Sequence, residues 1–151
     1  MSKKSLISDL ESISTLTLPY YELNDSDLNK SYGEGKWTIR QILHHLSDTE
    51  TVLYDRIRRT ISNPGQVVWG FDQDAWASRL DYENRSLKTA KDIFQSVRAA
   101  IVELAERHYE GSDKVTIIHS GDGKKSLQEV FDKVLWHNEG HLDQIKTALG
   151  R

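Results

Sequence analysis

A chain of 151 residues, 37% of them hydrophobic and 28% charged, is expected to fold as a single domain over residues 1–151. Its net charge of −3, with both signs interspersed, disfavours binding to nucleic acid or to an anionic membrane. The absence of cysteine excludes disulfides, thiolate ligands and a cysteine nucleophile. The first apolar stretch is broken by Ser, Asp and Glu, unlike a signal peptide, and no segment reaches the roughly 18 apolar residues of a membrane span. We therefore expect a soluble, cytoplasmic protein.

Two helices are predicted in the first half of the chain. Apolar residues recur at helical spacing from Lys3 to about Thr17, and a proline follows. After a polar loop, Thr38 and Gln41 form a capping-box pattern that opens a second helix. Its apolar stripe has a 3.6-residue period and fades near Ser62.

The second half of the chain predicts two more long helices. A connection dense in aromatic residues, with a short helix from about Asp72 to Arg79, precedes a third helix from near Ser86 to His108. Val115 to Ile118 is predicted to be a short extended piece before a glycine-containing turn. Ser126 and Glu129 form a second capping box, which opens the fourth helix. Four long amphipathic helices without sustained strand alternation predict an all-α four-helix bundle.

A pair of histidines on the fourth helix is the strongest chemical signal. His137 and His141 are four residues apart, so both imidazoles leave the same helix face about 5–6 Å from each other. That separation allows two ring nitrogens to reach one metal ion. A histidine at the margin of an apolar stripe is also commonly half-buried and hydrogen-bonded, and the pair alone leaves both interpretations open.

A third metal ligand is expected from a facing helix, because sites in helical bundles are assembled from facing side chains. His45 flanks the apolar stripe of the second helix, three residues beyond Ile42. His44 points about 100° away, although helical geometry alone does not exclude it. His119 lies in the turn-rich connection, where a surface position is expected, or one that overhangs a pocket.

The carboxylates near these histidines suggest acid–base roles. Asp48, Glu50 and Glu139 lie within about one helical turn of the candidate ligands. One of them is expected to accept a hydrogen bond from a ligand imidazole or to act as general base, with Glu50 and Glu139 as the catalytic candidates. Each of these three carboxylates is equally consistent with a structural position on a solvent-exposed helix face.

Aromatic residues in the connection suggest a pocket wall. Trp69 and Phe71 are predicted to line an apolar substrate pocket beside the metal, whereas Trp76 is expected to cap the end of the bundle. Trp37 and Trp136 are expected to be core or cap residues.

Two stretches together resemble the DinB/YfiT-like superfamily. The segment KWTIRQILHHLSDTE is similar to the second-helix signature of that family, and WHNEGHLDQI is similar to its last-helix signature. The linker FDQDAWASRLDYENRSL and Arg98 also resemble the family pattern, so that the similarity covers almost the whole chain. The segment from His119 to Gly123 departs from the His-Pro-Glu-x-Gly pattern common in relatives, which leaves the role of His119 open.

The resemblance implies a four-helix bundle with up-down-down-up topology, frequently dimeric. Carried over to this chain, the metal ligands are His45, His137 and His141, holding Zn²⁺, Ni²⁺ or a similar divalent ion. The resemblance also implies activation of a low-molecular-weight thiol, such as bacillithiol, mycothiol or glutathione, for transfer to a small electrophilic substrate. The expected function is thus a metal-dependent thiol S-transferase. Metal-assisted hydrolysis and a non-catalytic, stress-associated metal-binding bundle are the alternatives.

Overall fold

The computed structural model describes all residues from 1 to 151 and contains four long helices, two short helices and a small sheet. The helices are α1 (Lys3–Thr17), α2 (Asp25–Leu28), α3 (Ile39–Ser62), α4 (Gln73–Arg79), α5 (Lys88–His108) and α6 (Leu127–Ala148). The strands are β1 (Val67–Val68), β2 (Thr116–His119) and β3 (Gly123–Ser126), and 3-10 turns occupy Leu18–Glu22 and Ser112–Lys114. The four predicted long helices are confirmed.

The predicted capping boxes begin two of these helices. Thr38 and Gln41 satisfy each other's backbone N–H groups at the start of α3, and Ser126 and Glu129 do the same for α6. Helix α5 begins at Lys88, two residues later than predicted, because the Ser86 hydroxyl accepts a hydrogen bond from the Lys88 N–H before the helix starts.

The bundle has an up-down-down-up topology in which α1 and α3 occupy opposite corners. Helix α3 packs on α5 and α6, and so does α1. The Ser47 hydroxyl of α3 donates to the Ala90 carbonyl of α5, and further along both helices Glu50 meets Arg98, so α3 and α5 run in parallel. Arg98 also donates to the Leu10 carbonyl in the middle of α1. Lys3, at the N-terminal end of α1, pairs with Glu110 just beyond the C-terminus of α5, so these two helices are antiparallel.

A three-stranded sheet closes one end of the bundle. Strand β1 pairs in parallel with β2, which pairs antiparallel with β3. Only β2 overlaps an extended segment predicted from the sequence, at Val115 to Ile118. Strands of two to four residues are too short to show an alternating pattern, which explains why the sheet was not predicted.

The core has two apolar clusters, and a polar layer lies between them along α3. Ile39, Ile42, Leu43 and Leu46 belong to one cluster, Leu53 and Ile57 belong to the other, and the buried Glu50 falls between them. This layer contains the buried ion pair described below. None of the helices has the length and apolar character needed to cross a membrane.

Candidate metal centre

Three histidine nitrogens converge where α3 faces α6. His45 Nε2 lies 3.0 Å from His137 Nε2, and His141 Nε2 lies 3.1 Å from the same atom. The ligand atoms of all three residues fall within 4.8 Å of one another. The i, i+4 spacing brings His137 and His141 together, while the packing of α3 against α6 adds His45.

A hydrogen bond beside the site orients one of the three rings. His141 Nδ1 lies 2.8 Å from Gln144 Oε1, which is an acceptor, so this nitrogen carries the proton and Nε2 presents its lone pair. The Thr49 hydroxyl lies 3.3 Å from Nε2 and 3.4 Å from Nδ1 of His45, against the edge of the ring. Gln144 therefore corresponds to the hydrogen-bond acceptors that, around metal sites, fix the tautomer of a coordinating histidine.

Burial keeps the three imidazoles in the neutral form that a metal ion needs. It lowers the pKa of His45 to about 3, with a further contribution from His141. It lowers the pKa of His137 to about 2, and the two neighbouring histidines add to the effect. The pKa of His141 is also lowered by burial, which its hydrogen bond to Gln144 opposes. At neutral pH all three imidazoles are therefore uncharged.

The donor set fits a divalent transition metal. Three imidazoles suit Zn²⁺, Ni²⁺ and Cu²⁺, and no carboxylate oxygen joins the cluster. Three protein ligands leave a coordination position open, as catalytic zinc sites do. His45 is 1% exposed, whereas His137 and His141 are half-buried, so the site is more accessible from α6.

Aromatic rings cover the α3 side of the centre. The ring of Trp37 lies 4.9 Å from that of His45, and the ring of Phe71 lies 6.3 Å away. Trp76 packs on Phe71 at 4.5 Å. The structure therefore brings Phe71 to the site but leaves Trp69, which was predicted beside it, 78% exposed on the surface. Trp37, expected as a core or cap residue, was not predicted at the site, although it is the second residue of the segment similar to the family's second-helix signature.

One further tryptophan differs from its prediction. Trp136, expected in the core or as a cap, is 68% exposed. Its backbone position next to the ligand His137 directs its side chain about 100° around α6, away from the buried face.

The two carboxylates predicted as catalytic groups do not face the histidine nitrogens. Both oxygens of Glu50 accept hydrogen bonds from Arg98, at 2.5 Å from Nε and 3.1 Å from Nη2. Glu139 is exposed and lies beside α1, because it is about 200° around α6 from His137. Asp48 accepts a hydrogen bond from the Tyr82 hydroxyl.

A buried network anchored on Arg98 links the four long helices next to the metal centre. Besides Glu50 of α3, Arg98 donates to the Leu10 carbonyl of α1 and to Asn138 Oδ1, 3.0 Å away on α6. Asn138 in turn donates to the Thr17 hydroxyl at 2.9 Å. Burial raises the pKa of Glu50, and the Arg98 guanidinium opposes this shift. Since Asn138 follows His137 in the chain, the network fixes the helix segment that carries a ligand.

The other two histidines considered as site residues lie outside the cluster. His44 Nε2 is 3.0 Å from the Arg85 carbonyl, and its ring stacks on Tyr82. His119 Nδ1 accepts hydrogen bonds from the backbone N–H groups of Gly121 and Asp122. The His119 side chain is 13% exposed, so it does not have the surface position first expected; it lines a cavity, as the alternative expectation had it.

Comparison with known proteins identifies similar sequences and one similar fold. The model of the DinB superfamily matches residues 16–145. A protein of Oceanobacillus iheyensis named as a candidate metal-dependent hydrolase is 35% identical over 127 residues, which cover 84% of this chain and 73% of that protein. YfiT of Bacillus subtilis, named in the same way, is 25% identical over 131 residues, with coverage of 85% and 73%.

The fold agrees with a solved structure. The YfiT structure from Bacillus subtilis, described as a four-helix bundle of unusual topology, superimposes with a TM-score of 0.87. The alignment covers 99% of this chain and 87% of that chain, at 22% sequence identity.

Proposed function

Because this chain belongs to the DinB superfamily, we propose that it is a metal-dependent hydrolase in which His45, His137 and His141 hold a divalent ion. The observation that carries the proposal is the convergence of three histidine Nε2 atoms with no fourth protein ligand. The names of the relatives support hydrolysis as the reaction class. Zn²⁺ and Ni²⁺ are the ions we favour, since both accept three imidazole ligands.

A bound ion of this kind supplies a Lewis acid that lowers the pKa of a water or thiol at its open position. The chain's own residues prepare for that chemistry. Gln144 holds the His141 ring in the tautomer with Nε2 free, and the Arg98 network fixes the turn of α6 around Asn138. Trp37 and Phe71 exclude water from the His45 side, so a substrate enters from the α6 side.

Thiol S-transfer is the second candidate, and one observation favours it. A water nucleophile benefits from a nearby carboxylate base, yet Glu50 is bound by Arg98 and Glu139 faces away. A thiol bound to a metal ion is deprotonated without a protein base. The site thus also fits activation of a low-molecular-weight thiol that attacks a small electrophile.

Assays of the metal-loaded protein separate the two candidates. We would measure cleavage of activated esters and amides without thiol, and conjugation of glutathione to a chlorinated dinitrobenzene. Hydrolysis requires turnover without thiol, and S-transfer requires turnover that depends on thiol. Both activities should be lost in His45→Ala and retained in His44→Gln, which changes the neighbouring histidine outside the cluster. If the fully metal-loaded protein shows neither hydrolysis nor S-transfer, both candidates are contradicted.

A further inference from the structure

A cavity of about 330 Å³ lies between α3, α6 and the β2–β3 turn. Its apolar wall consists of Leu53, Ile117, Val130 and Trp136. Since Trp136 is 68% exposed, one face of its indole is free to contact a ligand. The volume suits a small organic molecule with an aromatic or branched apolar body.

The cavity also contains two cations that form no ion pair. Lys133 has no carboxylate oxygen within 4.0 Å, and neither has Arg56. Arg56 is 7% exposed, and its only hydrogen bond runs from Nη2 to the Trp69 carbonyl, at 2.9 Å. Its Nε is buried without an acceptor, and its Nη1, which is not buried, also has no acceptor in the chain. A buried guanidinium with unused donors is costly unless an anion completes its hydrogen bonds.

Two of the three carboxylates that line the cavity have other partners. Glu129 accepts from the Ser126 N–H as part of the α6 cap and pairs with Lys125 at 3.5 Å. Asp132 accepts from the Tyr109 hydroxyl at 2.7 Å. The third carboxylate, Asp122, is half exposed and lies 3.6 Å from His119 Nδ1. None of them neutralises Arg56 or Lys133 by direct contact.

The cavity lies along the same two helices as the metal centre, although none of the three histidines lines it. Lys133 precedes His137 by four residues on α6 and therefore lies on the same helix face, one turn away. Arg56 follows His45 by eleven residues on α3, which returns it to nearly the same face three turns along. Because α3 and α6 form both the centre and the cavity, a bound molecule could extend from the cavity towards the histidines.

We propose that this cavity is an anion subsite, in which Arg56 and Lys133 bind a carboxylate or phosphate group of the substrate. Trp136 contacts the apolar body of the same molecule. As a substrate subsite, this assignment rests on the proposed function, and it narrows the substrate class to small anionic compounds. The binding of an anion is measurable without the metal and without turnover.

The test is an NMR titration of the metal-free protein with benzoate, phenyl phosphate and the neutral benzamide. The Trp136 indole N–H and the His119 backbone N–H report binding at the cavity. We expect benzoate or phenyl phosphate to bind about tenfold or more tightly than benzamide, since a hydrogen bond to a charged group contributes that much. Preference for one of the two anions identifies the group as carboxylate or phosphate.

Single-residue variants test which cationic side chains bind the anion. Arg56→Gln and Lys133→Gln should each weaken anion binding about tenfold. Arg58→Gln should leave it unchanged, because this exposed neighbour stacks on Tyr54 and pairs with Asp55. If Arg56→Gln does not fold, Lys133→Gln and the benzamide comparison decide the matter.

Equal binding of benzoate and benzamide, no binding of either anion, or an equal loss in Arg58→Gln would overturn the subsite. Anion binding without any turnover by the metal-loaded protein would instead contradict the proposed function and leave the anion site in place.

Discussion

His45 on α3 and His137 on α6 bring their Nε2 atoms to 3.0 Å from each other across 92 residues of sequence. The three-histidine cluster therefore forms only when these two helices are packed together. A metal ion held there connects the second and last long helices of the bundle, and its binding free energy adds to the stability of the fold.

The first prediction concerns metal and thermal stability. At a free Zn²⁺ concentration about 1,000 times its dissociation constant, the folded state gains about 4 kcal/mol. For a domain of this size that gain raises Tm by roughly 10 °C. Differential scanning calorimetry with and without Zn²⁺ measures the shift. A His137→Ala/His141→Ala variant that retains its helical circular dichroism should show no shift, and an equal shift in that variant would place the ion elsewhere.

The second prediction concerns Gln144. Its Oε1 accepts a hydrogen bond from the Nδ1–H of His141, so Gln144→Leu releases the ring from its required tautomer. We expect the Zn²⁺ affinity to fall about 10- to 100-fold. Competition with a chromophoric chelator measures the change. Gln144→Glu keeps an acceptor at the same length and should retain tight binding, so similar losses in both variants would argue against a tautomer effect.

The third prediction concerns the buried pair of Arg98 and Glu50. Arg98→Met leaves a buried carboxylate without its cation, which costs about 3–5 kcal/mol of unfolding free energy at pH 7. The sign of the pH dependence follows from the pKa of Glu50, which burial raises and which rises further without Arg98. The unfolded chain releases the Glu50 proton above about pH 4.5, whereas the folded variant keeps it until the pH reaches the raised pKa of the folded state. The stability of the variant therefore falls as the pH rises from about 4.5 to that raised pKa.

Urea denaturation from pH 4.5 to pH 8 tests this prediction. The deficit of Arg98→Met relative to the unchanged protein should widen with increasing pH. The double variant Arg98→Met/Glu50→Leu has no buried charge and should recover stability and lose most of the pH dependence. A constant deficit across the range would show that Glu50 is not the group that titrates.

The long helices and the histidine pair of α6 could be predicted because they depend on local patterns. Apolar periodicity and two capping boxes define helix starts at Thr38 and Ser126. The spacing of His137 and His141 fixes their common face. His45 needed the further knowledge that a facing helix supplies the third ligand, and the sequence resemblance selected it over His44.

The remaining features depend on tertiary packing. Nothing local shows that Glu50 meets Arg98, 48 residues away, and is therefore unavailable beside the histidines. The exposure of Trp69 similarly follows from its position after the two-residue strand β1, which no periodic pattern predicts. For Glu139 a signal did exist, since its two-residue offset from His137 places it on the far side of α6.

The most direct test of the account is the metal content of purified, untagged protein, measured by elemental analysis after dialysis against Zn²⁺ or Ni²⁺. We predict about one divalent ion per chain in the unchanged protein and in His44→Gln. We predict almost none in His45→Ala, provided that circular dichroism shows it to be folded. Absence of metal from the unchanged protein, or full retention by folded His45→Ala, would contradict the three-histidine centre.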